Sequence, residues 1–206
     1  MGLFASESPT APRQFGRVYP PRHEWLKMQA PEAILEPDLP IVDTHYHVWD
    51  MPGNRYLIEE LSADLATGHR IEAMVFNECL AMYRKDGPEA MRPVGETQFV
   101  AGMAAMSESG QYGPTHIGAG IVSFADLTLG AAVEEVLAAH VAVGGGRFKG
   151  TRYGAAWDAS PVIGNSHTNP RLGVMNEPGM RAGLKVMRDM KLSLDAWVFF
   201  HQLDDI

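Results

Sequence analysis

Hydrophobic residues recur along this chain with two periods, and the two periods alternate. Residues 41–44 form a short apolar run that reads as a buried strand. Over residues 55–69, Leu57, Ile58, Leu61 and Leu65 recur at helical spacing, and Gly68 closes the run. Residues 71–77, 117–124, 146–152 and 192–200 read as four further strands. Helices are predicted over 96–106, 129–143 and 178–190. The clearest is 129–143, where Ala132, Val133, Val136, Leu137 and His140 share one face and Gly144-Gly145-Gly146 ends the run. Pro178 falls in the first turn of the last helix, where its missing N–H does no harm. No hairpin signal separates any two strands, so the alternation predicts a parallel sheet with helical crossovers.

The polar, titratable residues fall at the C-terminal ends of these strands: His45 and His47, Glu78, Asp126, Arg152 and His201. That edge is where a β/α barrel builds its active site. A doubly wound sheet is the alternative, but its first turn is usually glycine-rich, and here that turn carries histidines. Side chains two apart on a strand point to the same face, so His45 and His47 can converge on one point. Neutral imidazole is the commonest metal ligand, and such a pair is half of a divalent site; a structural histidine pair is the plainer alternative. Asp43 is placed to orient nearby backbone or an imidazole ring.

Residues 1–40 hold prolines at 9, 12, 20, 21, 31, 37 and 40, which block regular ladders. With Phe15, Tyr19, Trp25 and Leu26 they predict an extended Pro-rich arm, followed by one domain over 41–206. The chain has 206 residues, a net charge of −8 and a single cysteine, Cys79. The charge argues against nucleic acid or an anionic membrane as partner, and one cysteine allows no intrachain disulfide. Without an apolar leader or an apolar run of spanning length, a cytoplasmic protein with a small-molecule substrate is expected.

The segment Asp43-Thr44-His45-Tyr46-His47-Val48-Trp49-Asp50 resembles the first-strand signature of the amidohydrolase-related proteins, in the branch of the sugar lactonases and the pyrone dicarboxylate lactonase. Three later blocks match in order: residues 78–84, residues 147–152 with 155–158, and residues 194–197 leading to 201–203. The resemblance covers roughly residue 40 to the last. It implies a (β/α)8 barrel of TIM type whose mouth holds a substrate and often a divalent metal. By that matching His45, His47 and His201 are the metal ligands and catalytic residues, with zinc the first choice of metal and a metal-free use of the same histidines the alternative. The implied activity is hydrolysis of a lactone or a similar carboxylate-bearing ester or amide. A metal-dependent decarboxylase on the same fold is the competing activity.

Arg152, at the end of the fourth strand, can hold a substrate carboxylate in a bidentate pair, or can be a surface arginine with an acidic neighbour. Glu78 suits either a position near the metal or an ion pair. Trp157 is a candidate pocket wall, whereas Trp197 is read as core and Cys79 as buried packing. His140, on an apolar helix face, is expected to be a satisfied core histidine, and His167 carries no usable pattern. About five β/α units cannot close an eight-strand barrel, and the strand-eight aspartate of the family has no counterpart among these residues. The expectation is therefore an incomplete barrel, a piece of a longer protein or a truncated one, inactive as a hydrolase by itself and associating through its open edge as a homo-oligomer.

Overall fold

The computed structural model describes residues 18–30 and 32–206. Phe15, with residues 1–17 of the expected arm, lies outside them. Val18 packs against the core, and a short helix, α1 (His23–Leu26), follows with Trp25 and Leu26 exposed. In chain order come β1 (Ile41–Tyr46), β2 (Trp49–Met51), β3 (Asn54–Tyr56), α2 (Ile58–Leu65), β4 (Ile71–Asn77) and α3 (Val94–Glu108). They are followed by β5 (His116–Ser123), α4 (Val133–Val143), β6 (Phe148–Gly154), α5 (Pro178–Asp189) and β7 (Ser193–Trp197).

Five strands form one curled, all-parallel sheet in the order β1-β4-β5-β6-β7, flanked by helices. Chain order and spatial order coincide, as right-handed β/α crossovers produce when each strand is added beside the last. The sheet is compatible with an incomplete α/β barrel. No helix among the described residues is long and apolar enough to cross a membrane.

The apolar stripe that turns a helix toward the sheet is plainest in α4. There the buried set is Val133, Val136, Leu137 and His140, the i, i+3, i+4 and i+7 positions of one stripe. Two cores result. One joins β1, α2, β4, α3 and β5 around Phe76, Val100 and Ile117; the other joins α4, α5 and the ends of β5 and β6 around Leu127, Leu137 and Met180. Each such side chain taken from water is worth about 1.5–3 kcal/mol. In α5, Gly179 and Gly183 lie one turn apart and let the backbone of Leu127 and Thr128 approach closely. A Cβ on Gly183 would sit 2.3 Å from the Leu127 carbonyl oxygen.

Three expectations are corrected. Residues 49–56 make a small hairpin, β2 with β3, turned by Pro52-Gly53 with Gly53 at φ +76°, where helix was expected from residue 55. The predicted helix over 129–143 is broken at Gly130, whose φ of +64° separates a 3-10 stretch, Leu127–Ala132, from α4. The last strand ends at Trp197, so His201 sits on a 3-10 turn, Phe200–Asp205, rather than at a strand terminus.

Candidate functional site

The first strand delivers its two histidines to one point. Parallel pairing sets Tyr46 beside Phe76, which brings Asn77 alongside His47. The Asn77 side-chain amide donates to the Thr44 carbonyl at 3.0 Å, and the His47 Nδ1–H donates to the Asn77 carbonyl at 2.8 Å. Asp43 accepts the His45 backbone N–H at 3.0 Å, the orienting role its position suggested. The two rings meet edge to face with His45 Nε2 and His47 Nε2 3.1 Å apart.

Proton positions follow from the partners. The Asn77 carbonyl can only accept, so His47 carries its hydrogen on Nδ1. Burial pushes the His47 pKa down to about 4, so the ring is neutral at neutral pH and its Nε2 is a bare lone pair. Arg152 Nη1 lies 3.1 Å from His45 Nε2, and a guanidinium can only donate, so His45 Nε2 also presents a lone pair. The His45 lone pair is thus engaged by Arg152, while that of His47 is open on the side of the pair.

Arg152 is buried, and its charge is balanced by Glu78. Its Nε donates to Glu78 Oε1 at 2.9 Å and Nη2 to the Glu78 carbonyl at 2.5 Å, while its guanidinium lies 5.1 Å over the Trp197 ring. His167 Nε2 approaches Glu78 Oε2 at 3.3 Å, and both side chains are fully buried. Burial alone raises the Glu78 carboxyl; the His167 and Arg152 contacts outweigh it and hold the group below its ordinary range. Arg152 and Glu78, each read from the sequence as a substrate or metal-side candidate or as an ion-pair residue, are paired with each other here. His167, from the long loop, joins them through tertiary contact alone.

A second carboxylate lies behind the first. Glu96, in the first turn of α3, is fully buried, and its Oε1 accepts the backbone N–H of Cys79 at 3.0 Å and of Ala81 at 2.8 Å. It pins a turn in which Leu80 and Met82 adopt left-handed φ of +61° and +55°. Burial pushes the Glu96 pKa up to about 8. Cys79 donates its thiol to the Val48 carbonyl, and burial raises its pKa well above the ordinary value, so it is packing rather than a nucleophile.

His201 is not brought to the histidine pair. Its exposed ring bonds the Trp157 carbonyl at 3.2 Å and stands 3.8 Å from Asp158. Trp157 is half-buried, and its backbone N–H donates to Gln202 at 2.9 Å, so it belongs to this second cluster. Among the described residues no three His, Cys, Asp or Glu side chains come together as a metal-holding set. His140 is a core residue, bonded to Thr97 at 2.7 Å and stacked on Phe148.

A hollow of about 310 Å³ opens at the C-terminal ends of β5 and β6, lined by Phe124, Asp126, Tyr153, His167 and Arg171 among others. It shares His167 with the Glu78 cluster. Another, of about 450 Å³, lies at the N-terminal ends of β4 and β5 beside His69 and His116, far from the strand ends that carry the histidine pair.

At an imidazole–metal bond of about 2.0–2.1 Å, an Nε2 separation of 3.1 Å closes to an angle between a right angle and the tetrahedral one. The His47 Nδ1–H bond to a carbonyl is also the support that metal-bound imidazoles ordinarily have. The residues present thus fit two positions of a divalent ion, from His45 and His47. No family model, curated protein or solved structure matches this chain.

Proposed function

We propose that this chain carries the metal-binding strand of a barrel hydrolase of the amidohydrolase-related type, acting on a lactone or a similar carboxylate-bearing ester or amide. The observation that carries the reading is the pair of Nε2 atoms 3.1 Å apart, that of His47 bare and its ring locked in one tautomer by the Asn77 carbonyl. The curled parallel sheet agrees with a TIM-type barrel, and the histidines stand on the edge where such barrels react.

A bound zinc ion would supply Lewis acidity, polarising the carbonyl and lowering the pKa of water toward about 7. The protein's own residues orient that site. Asn77 fixes the His47 tautomer, Asp43 fixes the His45 backbone, and Glu78 with Arg152 sets a neutral buried pair beside His45. Neutrality matters, because an uncompensated guanidinium next to the lone pairs would repel a cation.

Zinc titration by calorimetry, followed by a lactone panel with product analysis, tests the reading. The native protein is expected to bind zinc and His47→Ala to lose it; where turnover occurs, the product is expected to be a ring-opened hydroxy acid. Zinc binding unchanged in His47→Ala removes the site. Release of CO2 without ring opening makes the protein a lyase.

A further inference from the structure

The guanidinium of Arg152 stands where it takes from His45 the electron pair that a metal would need. An imidazole Nε2 has one lone pair in the ring plane. It accepts a hydrogen bond or it ligates a metal, and it cannot do both. We infer that Arg152 is a built-in competitor of the metal for His45, and that Glu78 and Trp197 hold it in that position so that it sets the affinity of the site. The inference rests on the metal reading above and deepens it.

The geometry makes the competition unequal on its two sides. Arg152 is fixed: two of its nitrogens are bonded to Glu78, its side chain is only 7% exposed and that of Glu78 is 0% exposed. Withdrawing the guanidinium would strip a buried carboxylate of its charge partner, which is strongly unfavourable. His45 is exposed, and no group among the described residues bonds its Nδ1, so its ring is the part free to turn. His47 is fixed by Asn77. Metal entry therefore exchanges the Arg152–His45 hydrogen bond for a metal bond while Arg152 stays with Glu78. Each binding event must displace a charge-assisted hydrogen bond, which lowers the apparent affinity. Removing the guanidinium removes the competitor.

Zinc affinity of the native protein is compared with that of Arg152→Met and of the Glu78→Gln/Arg152→Met double variant. The double variant keeps the buried pocket neutral. Tightening in it cannot come from an unpaired Glu78 carboxylate. Both variants are expected to bind zinc at least tenfold more tightly, about 1.4 kcal/mol, and His47→Ala is expected to abolish binding in every background. Equal or weaker binding in a folded variant overturns the inference. So does tightening in Arg152→Met that is absent from the double variant, because the unpaired carboxylate is then the cause.

The native protein alone gives a further check, independent of whether the variants fold. With arginine and histidine labelled by 15N, zinc is expected to shift the Arg152 Nη resonances together with His45 Nε2 as their hydrogen bond is lost. A shift at His45 with Arg152 unmoved overturns the competition while the metal site stands. Absence of zinc binding in the native protein and both variants overturns the metal reading and this inference with it.

Discussion

Two histidine sites in this molecule began as one expectation and ended as different kinds of place. At the β1–β4–β6 end, His45 and His47 leave a paired strand and meet a buried scaffold of Asn77, Arg152, Glu78 and His167. Beyond β7, His201 rides a 3-10 turn and rests on the Trp157 carbonyl, exposed to water. The difference is in what stands behind the ring. A side chain at the end of a strand with neighbours inherits the positions of those neighbours. A side chain three or four residues past the last paired residue is placed by its own loop. Preorganisation, which a catalytic metal site needs, is available at the first end and not at the second.

The largest effect expected from breaking this contrast is on stability. Glu78→Ala leaves Arg152 charged in a buried pocket and is predicted to cost about 3–5 kcal/mol, read from denaturant melts. Asp158→Asn, which removes the charge beside His201 and keeps an oxygen for the Ser160 N–H, is predicted to cost about 1 kcal/mol or less, because that pair stands 3.8 Å apart at a solvated edge. Equal losses from the two would mean that the first end is no better anchored than the second.

Glu96 sharpens the contrast through pH. Its pKa in the folded protein, about 8, lies above the value of 4.5 for a free side chain, so the folded state keeps a proton that the unfolded chain releases. Its contribution to stability is complete below about pH 4.5 and drains away as pH rises through about 8. His47 and His140 act with the opposite sign. Their folded values near 4 lie below the ordinary 6.5, so they lower stability as pH falls through that window. The difference between native protein and Glu96→Gln isolates the carboxyl group. Native stability relative to the variant is expected to fall by more than about 1.4 kcal/mol between about pH 5 and pH 8. A flat difference would mean that Glu96 does not hold a proton against the 79–81 turn.

Which parts of this were legible beforehand follows from what periodicity encodes. The strand at residues 71–77 and the helix beginning at Pro178 were, because a buried strand and an amphipathic helix write their neighbours into their own spacing. The hairpin at residues 49–56 was not, since three-residue arms around Pro52-Gly53 are too short to show alternation. The break at Gly130 was masked because the apolar period runs on through it. Among site residues, His45, His47 and Arg152 announce themselves at strand ends. Glu96 reads as an ordinary acidic residue in a helix first turn, and only the unpaired N–H groups of Cys79 and Ala81 across the layer explain its burial. His167 lies in a loop without period, and the charge of Glu78, 89 residues earlier, is what gives its burial a reason.

The smallest expected effect is the most telling about His201. Its ring is exposed and makes one bond, to a carbonyl that water can satisfy equally well. Truncation to alanine is therefore predicted to change stability by no more than about 0.5 kcal/mol, within the range of surface substitutions. The family resemblance assigns His201 a metal-ligating role, while the geometry sets it on Trp157 beside Asp158. Zinc affinity separates the two. If His45 and His47 hold the ion without it, His201→Ala changes the dissociation constant by less than about threefold, where the loss of a true ligand weakens binding by far more. A loss comparable to that in His47→Ala would mean that the 3-10 turn swings His201 onto the ion when metal arrives, and that the two ends of the sheet join into one site only in the loaded protein.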